Sequence, residues 1–265
     1  MTAGEKTNLA RFLDLAAGVA RGGYAEKRDE YDFHDDIYGT TEEAIALNGA
    51  PMEAPAFSGT SASSGPVGHD DSFEQIEAGV RSCEACRLAQ TRKNAVPGEG
   101  ARKPVVMVIG EGPGAEEDES GRPFVGKAGQ LLDKMLAAID LSRQKNCFIA
   151  NVIKCRPPNN RDPNPDETTA CAAFLERQVR LLEPAFILCA GRIAAQTLLD
   201  THEGIGKLRG KITKLDIAGR SIPFLATYHP SALLRNEELK RPAWEDLKLL
   251  RSALDDPTAL EPGTG

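Results

Sequence analysis

Four short apolar runs constrain what this chain can fold into: PVVMVIG (104–110), CFIANVI (147–153), AFILCAG (185–191) and SIPFLATY (221–228). Each is β-rich and too short for a buried helix. Between them lie helical stretches. Leu131, Leu132, Met135, Leu136 and Ile139 form one apolar stripe, and TTACAAFLERQVRLL and RIAAQTLL supply two more helices. Strands buried on both faces and separated by helices imply a three-layer α/β domain with a mostly parallel, doubly wound sheet. Ligands of such sheets bind beyond the carboxyl ends of the strands. Three of the runs lead there into polar sequence: GEGPG after the first, Asn151 and KCRPPNN at the end of the second, HPSALLR after the fourth.

The domain so defined is expected over residues 72–256, with a tail over 257–265. Ahead of it, Leu9, Phe12, Leu13, Ala16, Ala17 and Ala20 share one face of an amphipathic helix within residues 1–22. That face has two candidate occupants, the chain's own domain or a partner protein. Residues 23–71 are acidic, then rich in Pro, Gly, Ser and Ala, and read as a flexible linker. Residues 26–53 carry nine carboxylates against two cations, which equals the net charge of −7 of the whole chain. The remainder is balanced, so the acidic total does not exclude a polyanionic partner. No run approaches the roughly 18 apolar residues of a membrane helix, and the charged start MTAGEKTN does not lead into an apolar signal segment. A reducing cytosol is the expected compartment, and no membrane partner is expected.

Six cysteines at uneven spacing favour a metal site or buried thiols over a disulfide framework. Cys83 and Cys86 form a C-x-x-C expected on a short polar helix; Cys155 follows the second strand, and Cys171 comes sixteen residues later. Four thiolates suit tetrahedral zinc or a four-iron, four-sulfur cluster, and one knuckle with two isolated cysteines fits a cluster at least as well. Four unlinked thiols remain the plain alternative. Cys147 and Cys189, inside apolar strands, read as small core hydrophobes.

The loop GEGPGAEEDESGRPFVG follows a strand, as a dinucleotide fingerprint does, but Glu116, Glu117, Asp118 and Glu119 would repel phosphate. A nucleotide cofactor is therefore disfavoured. The loop suits close backbone approach to a neutral flat ligand, with Phe124 either a stacking face or core.

Together, GEGPGAEEDESGRPFVGKAGQLL (110–132), NVIKCRPPNNRDP (151–163) with Glu167 and Cys171 downstream, the early C-x-x-C and YHPSALLR (228–235) resemble the family 4 uracil-DNA glycosylases, the iron-sulfur branch of that superfamily. The motifs stand in family order across residues 83–235. The resemblance implies a monomeric hydrolase that flips uracil out of single- or double-stranded DNA and cleaves its N-glycosidic bond in base excision repair. It implies a 4Fe-4S cluster on Cys83, Cys86, Cys155 and Cys171. A non-catalytic iron-sulfur nucleic-acid-binding protein of the same fold is the alternative.

Within the resemblance, Asn151 matches the uracil-reading asparagine, whose amide meets uracil N3–H and O4 in a pairing cytosine cannot satisfy. Phe124 matches the stacking ring, and Gly112 and Asn160 fall among the substrate-binding positions. His229 matches the catalytic histidine that donates to uracil O2 as charge develops. Leu233 matches the apolar wedge that fills the gap in the DNA, and Arg235 a DNA contact. Where family 1 relatives have an aspartate, Gly112 has no side chain. Catalysis then leans on the leaving group, with Glu111 or Glu117 as candidates to orient water. The loop KCRPPNNRDPNPDE lacks the histidine of a covalent-intermediate sister group. Basic residues flank the motifs, among them Arg92, Lys93, Lys207, Arg209, Lys211, Lys214, Lys240 and Arg241, and would contact phosphates if gathered around one mouth.

Overall fold

In a computed structural model, which describes residues 72–256, the four apolar runs pair side by side. The helix expected over residues 9–20, the linker and the C-terminal tail lie outside the described residues. In chain order the elements are α1 (Phe73–Arg81), β1 (Glu99–Gly100), β2 (Val106–Gly110), α2 (Ala115–Ser120), α3 (Lys127–Ala137), β3 (Cys147–Asn151), α4 (Pro165–Leu182), β4 (Phe186–Ala190), α5 (Arg192–Leu199), α6 (Ile205–Leu208), β5 (Ile212–Ile217), β6 (Arg220–Thr227), α7 (Pro230–Arg235) and α8 (Lys240–Asp255).

The sheet order is β1-β3-β2-β4-β6-β5. The four inner strands run parallel, and the two edge strands are antiparallel. Chain direction across the sheet reverses at β2, which has β3 on one side and β4 on the other. That reversal opens a crevice at the carboxyl ends of the strands, where ligands of such sheets bind.

Alternation along each strand feeds two cores. Met107, Ile109, Phe148 and Ala150 face α1, α4 and α5, meeting Ile76, Val80, Leu175 and Val179. Val106, Val108, Ile149 and Leu188 face α3 and α8, meeting Leu131, Met135, Trp244 and Leu247. Most of these side chains are wholly buried, and each such aliphatic residue contributes roughly 1.5–3 kcal/mol relative to exposure. The three-layer arrangement follows directly.

Helix ends are chemically marked. Ser72 caps α1 by accepting from the Gln75 N–H at 3.2 Å, while the Gln75 amide oxygen accepts from the Ser72 N–H at 2.7 Å. Pro165 opens α4, and the Asn164 N–H donates to Glu167 at 2.8 Å. Cys83 and Cys86 do not lie on a helix, contrary to expectation. Ser82 closes α1, its hydroxyl donating to the Ala78 carbonyl at 3.0 Å, and the C-x-x-C spans the turn before a short 3₁₀ segment, Arg87–Gln90. No helix among the described residues is long and apolar enough to cross a membrane.

Candidate active site

Strands β2 and β3 deliver Gly110 and Asn151 side by side, paired in register at their carboxyl ends. The Asn151 side chain is almost wholly buried, and its Oδ1 has no hydrogen-bond partner. An orphaned buried oxygen costs about 1–3 kcal/mol unless something donates to it. Gly110 provides the room: a Cβ there would stand 2.5 Å from Phe124 Cζ and 2.6 Å from Asn151 Oδ1. Ring and amide therefore meet over a residue that can carry no side chain.

Phe124 is held in an uncommon conformation. Its φ is 51°, in the left-handed region, and its carbonyl presses on α3, where a Cβ at Gly129 would stand only 1.9 Å from it. Buried Arg143 fastens the turn, donating to the carbonyls of Pro123 and Phe124 at 2.9 and 2.8 Å and to Asp133 at 2.9 Å. Glu117 braces it from α2. One carboxylate oxygen accepts from the N–H groups of Val125 and Gly126 at 2.8 and 2.9 Å, the other from Gly114 at 3.1 Å. A short helix does open after the glycine loop, and its own Glu117 occupies the loop's N–H groups.

His229 caps α7 at the end of β6. Its Nδ1 accepts from the Ser231 N–H at 3.2 Å and lies 2.8 Å from the Ser231 hydroxyl. With Nδ1 an acceptor, the neutral ring carries its proton on Nε2, which is then a donor. Burial, aided by the positive charge of Arg235, pushes its pKa down to about 4. The ring is therefore neutral at physiological pH. Its centroid lies 5.6 Å from that of Phe124, tilted by 34°. Gly191, at the end of β4 with φ 102°, lets it approach, since a Cβ there would stand 3.0 Å from His229 Cβ. Behind this strand end, Thr227 donates to buried Asp246 at 2.6 Å, and Arg209 grips the same carboxylate at 2.7 and 2.9 Å. Burial raises the Asp246 pKa, opposed by those hydrogen bonds.

Asn151, Phe124 and His229 thus lie close together. Other positions do not. Leu233 is fully buried in the core beneath α7; a wedge must protrude, so the expectation for this residue is not met. Asn160 is exposed, and its Oδ1 accepts from Arg156 at 2.8 Å; no hydrogen bond or ring contact joins it to the three converging residues. Gly112 has no space for a side chain, because a Cβ would stand 2.8 Å from Ile153. Glu111 is half-buried, its carbonyl accepting from the Ile153 N–H at 3.1 Å. Arg235 is exposed at the end of α7. Of the basic residues, Arg209 is tied to Asp246 and Lys240 is buried against Glu237, so neither serves as a surface phosphate contact. Lys207, Lys211, Lys214 and Arg241 are exposed.

The four candidate ligand cysteines line one hollow between α1, the turn after β3, and α4, together with Val80, Ala89, Arg92, Lys154 and Phe174. Cys155 and Cys171 are buried. Burial pushes the Cys171 thiol up to about 11 and raises that of Cys155. Three donors point at the sulfurs: Arg92 to Cys155 at 3.2 Å, the Lys154 N–H to Cys171 at 3.3 Å and the Ala85 N–H to Cys83 at 3.5 Å. Among the described residues no three His, Cys, Asp or Glu side chains gather as ligands of one metal ion. Cys147 and Cys189 are buried in strands, as expected, and burial raises both thiols, Cys147 to about 12.

Known proteins resemble this chain over most of the described residues. The family model of the uracil DNA glycosylase superfamily matches residues 97–248. The Type-4 uracil-DNA glycosylase of Sulfurisphaera tokodaii is 44% identical over 185 residues, covering 68% of this chain and 84% of that protein. Its counterpart from Pyrobaculum aerophilum is 45% identical over 181 residues, 67% of this chain and 92% of that protein. The Thermotoga maritima protein of the same name is 41% identical over 187 residues, 69% and 95% of the respective chains.

Proposed function

This chain belongs to the uracil DNA glycosylase superfamily, in its type-4 branch, and we propose that Asn151, Phe124 and His229, gathered at the carboxyl ends of the strands, hold uracil flipped out of DNA. The enzyme is a hydrolase that removes uracil from DNA in base excision repair. The observation that carries the assignment of the site is the buried, unpartnered Oδ1 of Asn151 beside the ring of Phe124. Uracil N3–H is the donor this oxygen lacks, and the amide NH₂ answers O4. Cytosine offers an acceptor at N3 and a donor at position 4, leaving both halves of the amide opposed.

Phe124 stacks on the base, and His229 donates from Nε2 to uracil O2. As the bond from N1 to C1′ breaks, its electron pair moves into the uracil ring and negative charge grows on O2. A neutral donor already in place stabilises that charge, an effect of about 3–4 kcal/mol for one oxyanion donor. Water then bonds to C1′ and loses its proton, and uracil leaves as the protonated free base. We assign Glu117 to holding the Phe124 loop, because its carboxylate is taken up by three N–H groups. Glu111 stays the candidate for orienting water. Arg235 and the exposed lysines of β5 and its approach are proposed phosphate contacts.

The cysteine hollow fits a four-iron, four-sulfur cluster. Four thiols from three separate segments surround it and three donors face the sulfurs, while among the described residues no three ligand side chains gather for one metal ion. When bound, a cluster supplies a covalent tie between those segments. The proposed catalytic domain is residues 72–256, acting as a monomer.

The test is release of free uracil from a uracil-containing oligonucleotide, single- and double-stranded, with the thymine oligonucleotide as control. Release from the first alone is expected. Tight binding without release would instead support a non-catalytic binder of the same fold.

A further inference from the structure

Lys154 stands three residues beyond Asn151 and is 1% exposed. Its Nζ donates to the Asn151 carbonyl at 2.8 Å and to the Gln178 side-chain oxygen at 2.7 Å. Gln178 is also buried, and its amide donates to the Pro97 carbonyl at 2.6 Å. Both partners of the ammonium are neutral, and no carboxylate among the described residues pairs with it. An uncompensated buried ammonium is destabilising by several kcal/mol. The cysteines are its neighbours across the hollow. Lys154 lines the cysteine hollow, its backbone N–H donates to Cys171 at 3.3 Å, and the next residue is Cys155.

We propose that Lys154 is a positioning residue that couples the cysteine hollow to base reading, its ammonium answering the charge of the metal-bound thiolates while its hydrogen bond holds the strand end that carries Asn151. The proposal rests on the cluster and uracil-site assignments above. The hollow and the uracil site then share one buried cation. With the thiolates ionised, the ammonium has an anion to face and stays against the Asn151 carbonyl. Without them the tie loses its electrostatic support, and the amide that reads the base loses its fixed height.

The experiment compares wild-type holoenzyme, Lys154→Met and Lys154→Arg, all purified without oxygen. Iron and sulfide content, the reduction potential of the cluster and single-turnover uracil release are measured on each. Lys154→Met is expected to keep its iron and to be harder to reduce, because a positive charge beside the cluster is gone. Its uracil release should fall by roughly tenfold or more, the scale on which supporting residues of metal sites act. Lys154→Arg restores the charge, so its potential should return toward wild type, with release still reduced because a planar fork does not reproduce the ammonium contact. A purely structural lysine would leave the potential unmoved. Lys154→Met with the wild-type potential, or with wild-type release, overturns the proposal. If Lys154→Met does not load, Lys154→Arg decides, and unchanged release there overturns it. Wild-type protein without iron and sulfide removes the cluster assignment itself and this proposal with it, a result distinct from the others.

Discussion

Arg143 donates to the main-chain carbonyl of Phe124 at 2.8 Å from nineteen residues away in the chain. The contact holds the left-handed turn that aims the ring at Asn151. Arg143→Ala leaves the carbonyls of Pro123 and Phe124 unpartnered, and a loss of about 3 kcal/mol in stability is expected, the scale of a charge-assisted hydrogen bond. Uracil release should fall more than DNA binding does. Denaturant titration and single-turnover kinetics measure the two effects, and millimolar guanidinium should restore part of the rate. No rate loss in a folded variant would show that the ring keeps its place unaided.

Asn151→Asp replaces a donor by an acceptor opposite uracil O4. Uracil release should drop by orders of magnitude, and cytosine becomes the better match to the new edge. Competition between uracil- and cytosine-containing oligonucleotides reads the change. Near wild-type activity on uracil would mean that another residue reads the base.

His229 yields a prediction in pH. Its folded pKa, about 4, lies below the ordinary value of 6.5. As the pH falls from about 6.5 toward 4 the unfolded chain binds the proton first, so this residue withdraws stability over that window and contributes a constant amount above it. The rate should show no histidine titration near 6.5 and should fail only as the pH nears 4. His229→Ala should lower single-turnover release by roughly 10²- to 10³-fold, with a smaller loss for 5-fluorouracil, whose anion needs less help. An equal loss on both bases would count against leaving-group stabilisation.

Cys155→Ala should yield colourless, less stable protein, because one side of the hollow loses its ligand. Cys189→Ala, deep in β4, should keep the cluster and lose only core packing. Iron and sulfide assays separate the two; a cluster retained by Cys155→Ala would remove Cys155 from the ligand set.

A chain beginning at Ser72 should retain cluster and turnover, since every assigned residue lies after it. Its affinity for DNA should rise once the acidic residues 26–53 are gone. A folded, cluster-loaded truncation without turnover would place part of the site in the removed segment.

Much of this was legible in the sequence for a physical reason. The parallel strands are buried on both faces and so spell continuous apolar runs, and Asn151 and His229 stand where those runs end. The edge strands were not legible. β1 is two residues long and ends in Gly100, while β5 is half-exposed and mixed in polarity; only the Ala218-Gly219 turn, with both φ angles positive, marks its hairpin with β6. Arg143 and Lys154 could not be found by reading along the chain, because the Pro123 and Phe124 carbonyls and the Gln178 side chain are brought to them only by tertiary folding. Leu233 illustrates the opposite error: a motif position names a residue, but only packing says whether it points at DNA or into the core.

The close approach of Phe124 and Asn151 to Gly110 also has a genetic consequence. Every residue that a single base change can put in place of glycine carries a Cβ, and any Cβ at this point strikes Phe124 and Asn151. Cytosine deamination opposite the guanines of a glycine codon, left unrepaired, writes serine or arginine at the first base and aspartate or glutamate at the second. The lesion this enzyme removes can therefore disable the enzyme's own gene at this codon, and a lineage that lost the glycine would accumulate further deamination with no local change short of reversion to restore the slot.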